Sequence, residues 1–296
     1  MLNTVWVDEL DDDLTREVRD LLLAARASDG RPEVTDGGPL PFGGGRHLVG
    51  RSGGELVGYA HLDTEGDAFG RQVAELIVHP DHRRAGRGTE LARALVAEAD
   101  GTVRVWAHGD HPAAARIAGR VGFRRVRELL IMHTPVRDWP EPAVSQGIEL
   151  RTFVPGQDEQ AVIDVNARAF DWHPEQGSLT VGELAAAEDE DWFDTDGFFL
   201  AERDGRVVGF HWTKVHPADP GQFSGEAVGE VYVVGVDPGA QGGGLGKALT
   251  LAGLRYLAGR GLTQVILYVE GDNAPAVTVY SRLGFTRYTV DVQYAQ

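Results

Sequence analysis

Asp237-Pro238-Gly239-Ala240-Gln241-Gly242-Gly243-Gly244-Leu245-Gly246 follows an apolar run, Glu230 to Val236, and leads into a helical pattern from Leu245 to Arg260. A strand feeding a glycine-rich turn that opens a helix is an anion site. The first-turn amides lack partners, the helix end is positive, and missing side chains let a phosphate approach. The same passage occurs earlier as His79-Pro80-Asp81-His82-Arg83-Arg84-Ala85-Gly86-Arg87-Gly88, after Val73 to Val78 and before a helical pattern from Gly86 to Ala99. Taken singly, either turn reads equally well as a tight connection with no ligand. Taken together, they mark a duplication.

The flanking sequence repeats in step. Asp8 to Ala27 has helical spacing, with Leu10, Leu14, Val18, Leu21 and Leu22 on one face. His47 to Val49 and Glu55 to Leu62 predict a hairpin around Ser52-Gly53-Gly54. Beyond the first glycine turn the pattern predicts a strand over Val103 to Ala107, a helix over Pro112 to Val121 and a closing strand over Val126 to His133. Asp138-Trp139-Pro140-Glu141-Pro142 reads as a linker, because proline fixes φ and disfavours helix before it.

After the linker the order restarts. It runs through strand Ile148 to Thr152, helix Asp158 to Phe170, a hairpin of Phe198 to Ala201 with Val207 to Val215, and strand Glu230 to Val236. Beyond the second turn come strand Val265 to Val269, helix Ala274 to Leu283 and closing strand Tyr288 to Tyr294. Gly58-Tyr59 matches Gly209-Phe210, Asp110-His111 matches Asp272-Asn273, and Gly122-Phe123 matches Gly284-Phe285. The expectation is two mixed α/β sheet domains, 1–137 and 148–296, joined by 138–147.

Composition narrows the function classes. The 296 residues are 42% hydrophobic and 25% charged, as in a soluble globular chain, and no apolar stretch reaches the roughly 18–20 residues of a membrane span. An acidic start without a signal-peptide pattern makes cytoplasm the expectation. The absence of cysteine excludes disulfides, thiolate metal sites and a cysteine nucleophile, so no metal is expected and direct transfer between bound substrates is the simplest chemistry. A net charge of −17 argues against general nucleic-acid binding, though not against one cationic pocket. Of the 28 basic side chains only Lys214 and Lys247 are lysines. The turn is not a Rossmann fingerprint, which needs a ribose-binding acid downstream, nor a Walker loop, since Lys247 is not followed by Ser or Thr.

Pro-x-x-[Arg/Gln]-x-x-Gly-x-Gly after a valine-rich strand, then a strand, an Asn-containing turn and a helix ending in Tyr-x-x-x-Gly-Phe, resembles the GNAT acetyltransferase superfamily. The match covers both halves and is most specific in the second, where Asn273, Tyr280 and Gly284-Phe285 are all in register. The resemblance implies two tandem domains of α/β (α+β) class, each a mixed, mostly antiparallel sheet flanked by helices, with acetyl-CoA as acetyl donor. It implies that Val234, Gly235 and Val236 pair with the pantetheine arm. Gln241-Gly242-Gly243-Gly244-Leu245-Gly246-Lys247 would then hold the pyrophosphate, and Asn273-Ala274-Pro275-Ala276-Val277-Thr278 would line the remaining channel. In the first half Leu76-Ile77-Val78 and Arg83-Arg84-Ala85-Gly86-Arg87-Gly88 correspond.

Acetyl transfer to an amine needs a neutral nucleophile, a polarised thioester and a proton for the departing thiolate. Glu230, eight residues before Pro238, is the candidate general base, and Tyr280 is the candidate general acid. The bland readings are a solvated strand-end carboxylate and a packed aromatic. The repeat supplies a control: eight residues before Pro80 stands Gln72, and the match to Tyr280 is Ala118. Glu75 is the one substitute base nearby, and the first half is expected to be catalytically silent.

A closer resemblance rests on His173-Pro174-Glu175-Gln176-Gly177, Gly209-Phe210-His211-Trp212-Thr213-Lys214-Val215-His216 and Glu230-Val231-Tyr232-Val233-Val234-Gly235-Val236. These strings are similar to a tandem subgroup of the superfamily that acetylates the cysteinyl amine of a cysteine–glucosamine–inositol pseudo-disaccharide. By that resemblance Glu175, Lys214, Glu230 and Tyr268 contact the small-molecule acceptor. Asp36 is the nearest match to an acidic contact in the N-terminal loop, with Glu33 competing. The stretch from His216 to Gly229 is long for a hairpin and is expected to cover the cleft. A monomer is expected, without membrane or nucleic-acid partner. Two other readings stay open: an acetyltransferase for another amine, such as an aminoglycoside or a peptide N-terminus, and a non-catalytic acetyl-CoA sensor.

Overall fold

The computed structural model describes residues 2–30, 34, 37–42, 44–100, 102–219 and 223–296. They form two compact units. The first comprises Met1–Leu130, Glu270–Asp272 and Thr289–Gln296; the second comprises Ile131–Val269 and Asn273–Tyr288.

The first unit begins with strand β1 (Asn3–Val7) and helix α1 (Asp12–Asp29), then β2 (Arg46–Ser52), β3 (Glu55–Asp63) and β4 (Gln72–Val78). It continues with α2 (Arg87–Glu98), β5 (Val103–Ala107), α3 (Pro112–Val121) and the start of β6 (Arg124–Pro135). Helix α1 starts later than its periodicity suggests because Asp11 accepts the Leu14 amide at 2.8 Å and caps it there. β1 escapes notice in the sequence because it is short and half-exposed. Val18, Leu21 and Leu22 of α1 pack on Val49, Leu56 and Tyr59, while Leu91 and Leu95 of α2 pack on Leu48, Ala60, Leu62 and Ala74. With helices on both faces, β2 and β3 carry apolar residues at successive positions rather than alternating ones.

The second unit repeats this order with β7 (Ile148–Thr152), α4 (Glu159–Ala169), α5 (Val181–Glu188), β8 (Phe198–Arg203), β9 (Arg206–His216) and β10 (Val228–Val236). It ends with α6 (Leu245–Gly259), β11 (Gln264–Glu270), α7 (Ala274–Arg282) and β12 (Thr286–Ala295). Helix α5 is invisible to hydrophobic periodicity because Leu184 is its single buried residue; a Thr180–Glu183 capping box fixes its start. Val162, Val165 and Leu184 cover Phe198, Phe210 and Trp212 on one sheet face, and Leu245 and Leu249 of α6 cover Ala201 on the other.

Strand order in the first unit is β1-β2-β3-β4-β5-β12, and in the second β6-β11-β10-β9-β8-β7. The sequence closes each half with its own last strand, whereas the structure does not. Val292, Gln293, Tyr294 and Ala295 of β12 pair antiparallel with Ala107, Trp106, Val105 and Arg104 of β5. In the second unit β6 takes the corresponding place beside β11, and the Val136 amide donates to the Thr263 carbonyl at 2.8 Å.

The two hairpins share one bulge and differ in another. Val57 is the extra residue between Gly50↔Gly58 and Arg51↔Leu56, as Val208 is between Ala201↔Gly209 and Glu202↔Val207. In β10, however, Tyr232 is extra between Val231↔Thr213 and Val233↔Trp212, and β4 pairs with β3 without interruption. A bulge adds a residue to one strand and re-aims the side chains before it.

Candidate active site

In each unit the strand entering the glycine turn parts from its parallel neighbour. β10 pairs with β11 only over Gly229↔Val265, Glu230↔Ile266 and Val231↔Leu267, yet it stays paired with β9 as far as Val236. β4 leaves β5 after Ala74↔Val105 and follows β3 to Val78. The backbone edge of Val234, Gly235 and Val236 is thus left outside the ladder with β11, as that of Leu76, Ile77 and Val78 is outside the ladder with β5. Gly235 has to be glycine, since a Cβ there would lie 2.5 Å from the Phe210 ring.

The turn after β10 is tied down by its own side chains. Asp237 accepts the Gly239 amide at 2.9 Å and Arg168 Nε at 2.7 Å, and those two contacts hold its carboxyl below the usual carboxylate range. Gln241 Nε2 donates to the Val236 carbonyl at 3.1 Å. Gly242 and Gly244 take φ of 85° and 80°, and Gly244 caps α6 with no side-chain hydrogen bond, leaving first-turn amides for a ligand. Gly243 and Lys247 are exposed beside them, Leu245 is buried in the core, and a Cβ on Gly246 would meet nothing closer than Val236 at 3.7 Å. A pyrophosphate fits these donors.

The first turn has the same path built from other residues. Arg83 Nε donates to the Val78 carbonyl at 2.9 Å, in the place of Gln241, and its remaining nitrogens are engaged by Asp29 at 2.8 and 2.7 Å. Arg84 stands where Gly242 does, with φ of 61°, and Gly86 matches Gly244 with φ of 83°. Arg87 donates to the His82 carbonyl, Ala85 is exposed, and a Cβ on Gly88 would meet Ile117 at 2.8 Å.

Asn273 acts locally, since its Oδ1 accepts the Ala276 amide at 3.2 Å and caps α7. Ala274, Pro275 and Thr278 are exposed along that helix, Ala276 and Val277 are half-buried, and the Thr278 hydroxyl donates to the Ala274 carbonyl. Tyr280 is half-buried, edge-on to Phe285 at 5.9 Å, and burial pushes its phenol up to about 12. Its identification with Ala118 holds in three dimensions, because the Phe285 amide donates to the Tyr280 carbonyl as the Phe123 amide does to Ala118.

Glu230 is 5% exposed and pairs in register with Lys214. His216, two residues along β9, brings Nε2 to 2.5 Å from Glu230 Oε2. The Lys214 ammonium lies 4.1 Å from the Trp192 ring centre and 5.2 Å from that of Tyr232. Trp192, Trp212 and Tyr232 pack mutually at 5.1 to 5.6 Å, forming a cation-holding corner. Burial and the Glu230 charge both raise the Tyr232 phenol. Tyr268 is two residues beyond Ile266, the register partner of Glu230, and therefore on the same sheet face. Glu175 stands on a different element, an exposed turn. There its amide and that of Gln176 donate to His173 Nδ1, and Asn166 donates to the Gln176 carbonyl at 2.6 Å. Asp36 and Glu33 lie outside the described residues.

Two features of this site do not follow from the sequence. His216 stands in a motif there without a role of its own, although i, i+2 spacing from Lys214 puts it on the Glu230 face. The Tyr232 bulge also shifts the comparison between halves. Through both ladders the counterpart of Glu230 is Val73, paired with Asp63 and Arg104, and not Gln72. Glu75, two residues from Val73, shares its face and meets His108 at 3.4 Å; Asp291 meets the other side of that ring at 2.8 Å.

A family model for the acetyltransferase (GNAT) family matches residues 14–123 and again 166–285. Mycothiol acetyltransferase of Saccharomonospora viridis is 66% identical over all of this chain and 99% of its own length. That of Amycolatopsis mediterranei is 64% identical over 98% of both chains. A GCN5-related N-acetyltransferase from Sphaerobacter thermophilus superposes with a TM-score of 0.71, covering 99% of this chain and 95% of that one at 24% identity. A tandem GNAT protein of the clavulanic acid biosynthesis pathway does so at 0.68, covering 99% and 98% at 22% identity. Both likenesses bear on the fold.

Proposed function

The chain belongs to the acetyltransferase (GNAT) family and is an acyltransferase, and from that premise we propose that it carries acetyl from acetyl-CoA to the cysteinyl amine of cysteine–glucosamine–inositol, yielding mycothiol and CoA. The observation that carries this reading is that the second unit joins a glycine turn with free first-turn amides to the buried carboxylate Glu230 and the phenol Tyr280, where the first unit has Val73 and Ala118. Near-full-length identity to mycothiol acetyltransferases supports the acceptor.

Transfer is direct. The turn amides and Lys247 hold the pyrophosphate, and the free edge of Val234 to Val236 pairs with the pantetheine arm, which carries the thioester toward Glu230. Glu230, directly or through a water, takes the proton of the ammonium, whose reference pKa is about 8. The amine attacks the carbonyl carbon, the C–N bond forms, and the C–S bond breaks with its electron pair on sulfur. Tyr280 gives its proton to that sulfur and is restored by the second proton of the nitrogen. A phenol near 12 keeps its proton until sulfur carries charge in the same buried surroundings, which make the thiolate more basic as well. Lys214, Glu175 and Tyr268 supply polar contacts to a hydroxyl-rich acceptor. Val73 and Ala118 stand in the first unit where the second has Glu230 and Tyr280, so catalysis is assigned to the second unit.

The test is a CoA-release assay with the cysteinyl glucosamine–inositol compound, free cysteine, glucosamine, an aminoglycoside and a peptide N-terminus. Turnover is expected on the first. Turnover of another amine with none of that compound overturns the acceptor, and no turnover of any favours a sensor. Tyr280→Phe should lower kcat about 100-fold or more while acetyl-CoA binding holds; unchanged turnover removes Tyr280 as the acid.

A further inference from the structure

With Glu230 read as the base, we propose that His216 is its positioning residue: the imidazole Nε2–H holds Oε2 and thereby presents Oε1 to the acceptor amine. Glu230 and His216 come from adjacent strands, and their atoms meet at 2.5 Å. The Glu230 side chain is 7% exposed and that of His216 is 36% exposed, so the pair runs from the sheet interior to its solvent edge. A buried carboxylate has about four lone-pair directions, and a base needs one of them aimed at the proton it removes. Backbone pairing fixes the Glu230 Cα but not its side-chain torsions.

Lys214 is the other group that register places opposite Glu230, and its ammonium is seated over Trp192 and Tyr232. The imidazole Nε2–H donates one hydrogen bond to Oε2 and fixes the base.

The reading requires a donor at Nε2, which an amide can supply and a hydrocarbon cannot. His216→Gln is expected to keep kcat within a few-fold of the native enzyme. His216→Leu is expected to lower kcat about 10- to 100-fold, within the range attributed to general acid–base catalysis, with KM for acetyl-CoA unchanged. Each is assayed for CoA release across pH, with acetyl-CoA binding by titration confirming the fold. The proposal is overturned if His216→Leu turns over within twofold of the native enzyme, or if His216→Gln is as impaired as His216→Leu. Glu230→Gln separates the two levels. A dead Glu230→Gln beside an unaffected His216→Leu removes only the positioning role. A fully active Glu230→Gln removes the base assignment, and with it the role of His216.

Discussion

β4 and β10 occupy equivalent places in the two units and leave their parallel neighbours at equivalent points, but only β10 carries the extra residue Tyr232. The path of the glycine turn is the same in both. The Arg83 and Gln241 side chains make the same tie to the preceding strand, and the left-handed positions recur at Arg84 and Gly242 and at Gly86 and Gly244. The side chains on the strand before it differ. Where the second unit has Glu230 against His216 and Lys214, the first has Val73. Two residues on, His108 is clamped by Glu75 and Asp291. A phosphate cradle made of backbone tolerates sequence change, because amides are present whatever the side chains. A proton-transfer site made of side chains does not.

The sharpest way to break the comparison is to give the second strand the residue of the first. Glu230→Val places in β10 the side chain that β4 has at Val73, in the same register. Turnover should fall at least about 100-fold while acetyl-CoA binding persists; retained turnover would show that the carboxylate is not what separates the two strands.

A smaller effect tests the charge clamp of the first unit. Burial pulls the His108 imidazole down, but the Asp291 and Glu75 contacts together outweigh it and leave it at about 9, above the ordinary 6.5. A raised folded value stabilises fully below about 6.5 and is lost as pH rises through about 9. Urea unfolding should therefore show stability falling over that interval, by on the order of 1–3 kcal/mol. His108→Gln should remove that dependence; an unchanged slope would assign it elsewhere.

The smallest effect lies in the turn. Arg84→Gly gives the first loop the residue that the second has at Gly242. Relief of about 1–2 kcal/mol of left-handed strain is offset by about 0.5–1 kcal/mol from glycine's freedom when unfolded. A rise in Tm worth under about 1 kcal/mol is expected, and a fall would mean that the Arg84 side chain holds something in place.

Much of this is legible in the chain. Local patterns carry local structure, and the strands, helices and both glycine turns depend on residues adjacent in sequence. Helix α5 and strand β1 escape because each is held mainly by tertiary contacts, α5 through Leu184 with Ala187 beside it. Glu230, Lys214 and Tyr280 can be found because their motifs sit at fixed offsets from the turn. His216 cannot, because its role depends on a partner across a ladder, and Val73 is hidden because counting cannot see a bulge.

The sequence by itself determined that there are two copies of one α/β unit, that both have a glycine-rich turn opening a helix, and that Glu230 and Tyr280 stand in the second alone. Those are properties of residue type and spacing. Only the tertiary structure decided which strand completes which sheet, because β6 and β12 follow equivalent helices and β5 and β11 offer equivalent edges. It alone also decided the aim of Glu230, because side-chain direction in a strand depends on register, and register is a relation between segments far apart in the chain.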